Sequence, residues 1–286
     1  MGMSGPDQSS GGEAVNDPRS AGYFRGGLPY NRLGHGPQPL VVFQGLVFEN
    51  KPQPGLATSM YRFLGEDYTV FSVLRKPGLP QGYTLRDMAD DYAAMIHEEF
   101  GDPVDVLGVS TGGSIAQHFA ADHPDLVRRL VIHSSAHRLS DPAKAMQLEV
   151  ARLAGQRRWR EAWAVLLRFM LGSGLLARGQ AALAAVLLSM STPADPSDLV
   201  ITILAEDQFS FQDQLARIAA PTLVIAGDRD PFYTPALFQE TAAGIPNARL
   251  ILYPGMGHPA SGRRFRQEVL AFLREEESRY HDSRDR

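Results

Sequence analysis

Cysteine is absent from the 286 residues, so neither a disulfide framework nor a thiolate metal site can form. No apolar run approaches the ~18 residues that a membrane-spanning helix needs. Charge of one sign is also missing: 28 Lys and Arg stand against 32 Asp and Glu, a formal net charge of -4. That balance removes the electrostatic argument for a nucleic-acid partner. The short basic clusters Gln156-Arg157-Arg158 and Arg263-Arg264 sit in helical patterns and read as solvated faces. The first twenty residues hold no apolar stretch, so a conventional signal peptide is not expected, and a cytoplasmic location is. Residues 1–20 read as a disordered tail and 278–286 as a charged one.

What is present is a chain rich enough in apolar residues, at 44%, to bury an extensive core. Pro39–Phe43 and Tyr68–Leu74 read as strands. From Thr84, apolar residues recur at three and four positions until Gly101, a helical pattern. Val104–Leu107 and Leu130–Ile132 read as strands with a helix between them. From Ser140 to about Phe209 strands vanish and helical patterns take over. Strand–helix alternation then resumes with Thr222–Ala226, a helix over Pro235–Ala243, a strand at Arg249–Tyr253 and a closing amphipathic helix around Phe265–Leu273. The expectation is an α/β fold, a mostly parallel central sheet flanked by helices. Core segments would span 21–138 and 211–277, with an inserted helical unit at 139–210.

The most informative segment is Gly108-Val109-Ser110-Thr111-Gly112. It is G-x-S-x-G between a strand and a helix, a sharp turn that lifts a serine hydroxyl above the sheet edge. Serine is a weak nucleophile near neutral pH and needs a base steadied by a third group. His258, in Tyr253-Pro254-Gly255-Met256-Gly257-His258, follows the last strand and is the best base. The acid should follow a late strand, where Gly227-Asp228-Arg229-Asp230 offers two carboxylates. Strand geometry alone does not choose between them.

On these motifs the chain resembles the α/β-hydrolases, with their order Ser…Asp…His, over roughly Pro39–Leu273. The resemblance implies an α/β-hydrolase fold with an all-helical cap at 139–210. It places the acid at the end of G-x-x-D, hence Asp230. It also implies an oxyanion hole from the backbone N–H groups of Thr111 and Leu46, the latter in the loop after the first strand. Gln44 stands where many relatives carry histidine. Another departure is Leu74-Arg75-Lys76-Pro77-Gly78, where an acidic residue and an arginine-glycine turn are usual.

Gln44, His133, Trp159 and Trp163 are candidate pocket residues. His133 and His137 do not form a metal pair in this context, and neither a metal nor a cofactor is expected. A serine nucleophile disfavours dehalogenation and epoxide opening, which the family performs with aspartate. The expected function is hydrolysis of a carboxylic ester or related acyl compound, with a small, partly apolar molecule as substrate. The alternatives are a carbon–carbon bond hydrolase acting on a ketonic substrate, with Arg157, Arg158 or Arg160 binding its carboxylate, and a non-catalytic ligand-binding protein. Oligomeric state is not legible in the sequence.

Overall fold

The computed structural model describes residues 20–52, 60–172, 174–190 and 192–275. The expected tails, apart from Ser20 at one end, fall outside these residues.

Eight strands form one sheet: β1 (Ala21–Tyr23), β2 (Pro29–Leu33), β3 (Gln38–Phe43), β4 (Tyr68–Val73), β5 (Val104–Val109), β6 (Val127–His133), β7 (Thr222–Gly227) and β8 (Ala248–Tyr253). Their order across the sheet is β1-β2-β4-β3-β5-β6-β7-β8. β1–β2 and β2–β4 pair antiparallel, and every other neighbour pairs parallel. The first hairpin has no counterpart in the sequence reading. Pro29, Asn31 and Arg32 break its apolar pattern, and it is held by pairing with β4 and by Phe24, Leu28 and Tyr30 packing against the first core.

The period of two along the strands assigns side chains to two separate cores. Val41, Phe43, Val106, Leu130, Ile132 and Val224 face one. Leu40, Val42, Leu107, Val109, Val131 and Leu223 face the other. The first core is covered by α1 (Leu85–Glu99), α2 (Thr111–Asp122) and α7 (Pro235–Gly244), the second by α8 (Arg263–Leu273). α1 starts where a capping box predicts: Thr84 Oγ1 accepts the Asp87 N–H, and the Asp87 carboxylate accepts the Thr84 N–H.

Between β6 and β7 run four helices, α3 (Asp141–Gly155), α4 (Trp159–Leu171), α5 (Leu175–Ser189) and α6 (Ser197–Asp207). Among the described residues no helix is long and apolar enough to cross a membrane. The apolar Leu215–Ile218 stretch, between the helical unit and β7, falls largely in a short 3-10 helix, Gln212–Arg217.

The chain leaves β3 toward β4 on one side and returns to β5 on the other, so the winding reverses between β3 and β5. In an open parallel sheet that reversal opens a crevice at the strands' carboxyl ends. Loop 44–46 and Ser110 emerge there, from neighbouring strands paired at Phe43 and Gly108.

Candidate active site

Ser110 ends β5 and caps α2 with φ 53° and ψ −126°. A non-glycine residue in this left-handed region costs of order 1–3 kcal/mol and persists only when its surroundings enforce it. Here they do. The Ser110 N–H donates to the His133 carbonyl at 3.0 Å, and its own carbonyl accepts the Gly113 N–H at 2.7 Å. Gly112 permits the turn, since a Cβ there would lie 2.0 Å from the Phe43 carbonyl oxygen.

The loops after β7 and β8 bring a carboxylate and an imidazole to this serine. His258 Nε2 lies 3.1 Å from Ser110 Oγ, and His258 Nδ1 lies 2.7 Å from Asp230 Oδ2. Asp230 Oδ1 accepts the Phe232 and Tyr233 N–H groups at 2.8 and 3.3 Å, which fixes the carboxylate plane. Because Asp230 accepts at Nδ1, the histidine tautomer leaves Nε2 free to accept from Ser110. Asp228 bonds elsewhere, its Oδ1 accepting the Gly255 N–H at 2.6 Å to close the turn after β8.

His133 is fully buried and does not line the cavity beside Ser110. Its Nε2–H donates to the Ala260 carbonyl at 2.7 Å, and Nδ1 accepts from Tyr61 Oη at 2.9 Å. Burial pushes its pKa down to about 3, so the ring is neutral. Ser134 Oγ accepts the Ala260 N–H at 2.9 Å. The end of β6 therefore pins the chain two residues beyond His258.

On the opposite side of Ser110, the loop after β3 is gripped by Arg75, the residue noted in sequence only as a departure. Its guanidinium is 1% exposed and donates to the Gln44 carbonyl at 3.0 Å and, through both terminal nitrogens, to the Gly45 carbonyl at 3.1 Å. The Gln44 side chain donates to Ser72 Oγ at 2.6 Å. With both carbonyls turned toward Arg75, no protein acceptor meets the Leu46 N–H among the described residues.

A cavity of about 260 Å³ opens beside Ser110 and His258. Leu46, Val47, Met60, Leu166, Met170 and Phe232 make it mainly apolar, and Gln44, Tyr61 and Gln147 add polar atoms. Of the expected pocket residues Gln44 is in this wall, while Trp159 and Trp163 are outside it. Trp163 instead stacks on Phe48 at 3.6 Å with the planes 7° apart, so that aromatic face packs against the loop after β3. No Arg or Lys stands among the described residues of the wall. Arg158 is exposed and paired with Glu161.

Sequence reading also missed Glu206, near the end of α6 and fully buried. Its carboxylate accepts from Thr111 Oγ1 at 2.7 Å, Ser114 Oγ at 3.2 Å and Gln147 Nε2 at 3.2 Å. Burial raises its pKa, and these donors together with nearby Arg75 oppose the rise. An acidic residue inside an apolar helical pattern, Leu199–Ile203 followed by Glu206, is the one local signal of such a role.

The fold agrees with comparison to known proteins. The model of the alpha/beta hydrolase family matches residues 17–271, and the chain belongs to that family. It is 32% identical over 184 residues to the polyketide synthase ThaQ of Burkholderia thailandensis, covering 59% of this chain but only 8% of that much longer protein. It is 26% identical over 184 residues to the pimeloyl-[acyl-carrier protein] methyl ester esterase of Neisseria meningitidis, covering 62% of this chain and 70% of the esterase. A hydrolase from Pseudomonas aeruginosa superposes with a TM-score of 0.70 at 24% identity, over 87% of this chain and 94% of that one.

Proposed function

We propose that this chain is a serine hydrolase that cleaves a carboxylic ester, or a related acyl compound, through an acyl-enzyme on Ser110. The observation that carries the reading is the continuous hydrogen-bonded line from Ser110 Oγ through His258 to Asp230, at 3.1 and 2.7 Å. His258 Nε2 takes the Oγ proton as the oxygen attacks the carbonyl, and Asp230 stabilises the imidazolium that forms. The developing oxyanion is received by the N–H of Thr111, at the start of α2, and the N–H of Leu46. His258 then protonates the leaving alcohol, and afterwards activates a water that releases the acyl group. Helices α3–α6 act as a cap: Gln147, Leu166 and Met170 close the cavity from that side and exclude bulk water from the acyl group.

Among the described residues the wall is mainly apolar and holds no Arg or Lys, which suits a neutral or partly apolar acyl group better than an anionic ketonic acid. The ester reading is also consistent with the methyl ester esterase activity of the Neisseria relative.

The test is stoichiometric labelling by a phosphonate serine probe, followed by kinetics on p-nitrophenyl esters and on ketonic dienoates. Labelling at Ser110, ester turnover in the wild type and its loss in Ser110→Ala are expected. An unlabelled, ester-inert wild type would mark the chain as a binding protein. Faster turnover of dienoates than of any ester would move the reading to carbon–carbon cleavage.

A further inference from the structure

Gln147 comes from α3, is 3% exposed, and lines the cavity beside Ser110. Its Nε2 donates to Glu206, whereas its Oε1 is buried with no hydrogen-bond partner among the described residues. A buried unpartnered amide oxygen carries a desolvation penalty of about 1–3 kcal/mol, so its persistence at a cavity wall points to a ligand that supplies the donor.

Which end of an amide faces which way is normally ambiguous. Here the chemistry decides. Thr111, Ser114 and Gln147 are placed to direct three hydrogens at the Glu206 carboxylate, and together with nearby Arg75 they favour its ionised, accept-only form against the effect of burial. With the Gln147 nitrogen on Glu206, the oxygen is left without a protein partner among the described residues, in a residue that lines the cavity wall. Gln44 differs, because its side chain bonds the hydroxyl of Ser72, which donates or accepts equally well.

We infer that Gln147 Oε1 is a substrate-binding acceptor, oriented by Glu206 as a positioning residue, and that the cavity selects acyl compounds bearing a hydroxyl or amide N–H donor near the scissile carbonyl. The inference rests on the acyl-hydrolase reading for its kinetic test only. A cavity otherwise walled by Leu46, Val47, Leu166 and Phe232 gains little discrimination from apolar contacts, each methylene being worth about 1–3 kcal/mol. A site built to accept one hydrogen bond rejects the analogue lacking it, because its own oxygen then stays unpaired.

Two matched pairs of p-nitrophenyl esters separate the two donor sources. β-Hydroxybutanoate against β-methoxybutanoate tests the hydroxyl, and N-acetylglycinate against N-acetylsarcosinate tests the N–H. In at least one pair the wild type should favour the donor-bearing ester by about tenfold in kcat/KM. Gln147→Met should bring that ratio to about one, the ratio and not the absolute rate being the readout. Glu206→Gln, an isosteric change, should reduce or invert the ratio, because a neutral amide at 206 lets the Gln147 amide turn over. A role of Glu206 in fold stability alone would leave the ratio unchanged. The Ser110→Ala protein supplies an assay that needs no turnover: calorimetric titration with the methyl esters of the same acids should show about tenfold tighter binding of the donor-bearing member. Equal kcat/KM within both pairs together with equal binding by Ser110→Ala, or a preference that survives Gln147→Met, would overturn the assignment. An ester-inert wild type whose Ser110→Ala form still prefers the donor would sink the hydrolase reading and leave this one standing.

Discussion

Asp228 and Asp230 stand two residues apart on the turn after β7, yet their carboxylates serve different loops. Asp228 receives the Gly255 N–H at 2.6 Å, and Asp230 receives His258 Nδ1 at 2.7 Å. Asp230→Asn keeps the acceptor for the Phe232 and Tyr233 N–H groups but turns an NH2 toward His258. That stabilises the tautomer with hydrogen on Nε2, which cannot accept from Ser110. On the proposed mechanism kcat should fall about 10³- to 10⁴-fold with folding intact. Asp228→Ala should instead lower stability by about 1 kcal/mol while kcat stays within a few-fold. Parallel kinetics and thermal melts of the two variants check the division.

Arg75 gives a prediction about the oxyanion side. Removing a guanidinium that holds the Gln44 and Gly45 carbonyls frees the loop on which the Leu46 N–H is presented. On the proposed mechanism Arg75→Met should reduce kcat about 10²-fold with little change in KM, because the Leu46 N–H would act in the transition state. A rise in KM with kcat unchanged would place the effect on substrate binding instead.

Two glycines near Ser110 should respond differently to a methyl group. At Gly112 a Cβ would meet the Phe43 carbonyl oxygen at 2.0 Å, a backbone clash that cannot relax locally. At Gly45 it would meet Ser110 Cβ and the Val109 carbonyl oxygen at 3.3 Å, which small shifts relieve. Gly112→Ala should therefore yield little folded protein, while Gly45→Ala should fold and lose activity by displacing Ser110, the proposed nucleophile. Soluble yield and circular dichroism separate the two outcomes.

The buried ionisable groups set opposing pH dependences. His133 has its pKa depressed from 6.5 to about 3, so its contribution to stability is complete above pH 6.5 and is lost as pH falls toward 3. Burial also lowers the pKa of His118 and His137, which act in the same direction. Asp105 is raised from 3.8 to about 6 by burial, against the pull of Arg128, so its penalty is absent below pH 3.8 and grows up to about pH 6. Melting temperatures from pH 4 to 7 should fall less steeply on acidification in His133→Asn than in the wild type. Asp105→Asn should gain relative to the wild type as pH rises across the same window.

Legibility in the sequence followed the range of the interactions. The Val104–Val109 strand and its elbow are a local pattern, an apolar run closed by Gly108-Val109-Ser110-Thr111-Gly112, and appear where expected. β1 and β2 left no such trace, because β2 breaks its own apolar pattern and joins the sheet through β4, a strand well further along the chain, while β1 pairs only with β2 among the described residues. His133 looked like a pocket residue because it ends a central strand. Its ring instead stacks on Phe265 of α8 and bonds Tyr61 and the Ala260 carbonyl, which bury it outside the cavity wall. Glu206 was invisible as a site residue because its partners lie 59 to 95 positions away.

The sequence by itself determined the alternation of strands and helices, the serine on its turn, and the order in which acid and imidazole follow. These depend on neighbours a few residues apart. The residues alone left Asp228 and Asp230 open until the resemblance favoured Asp230, and the tertiary structure brings Asp230 to His258; only the tertiary structure decided that Arg75 holds the loop before Leu46 and that Gln147 meets Glu206. Hydrogen bonds are directional and act over about 3 Å, so each of these choices waits until distant segments have been packed against one another.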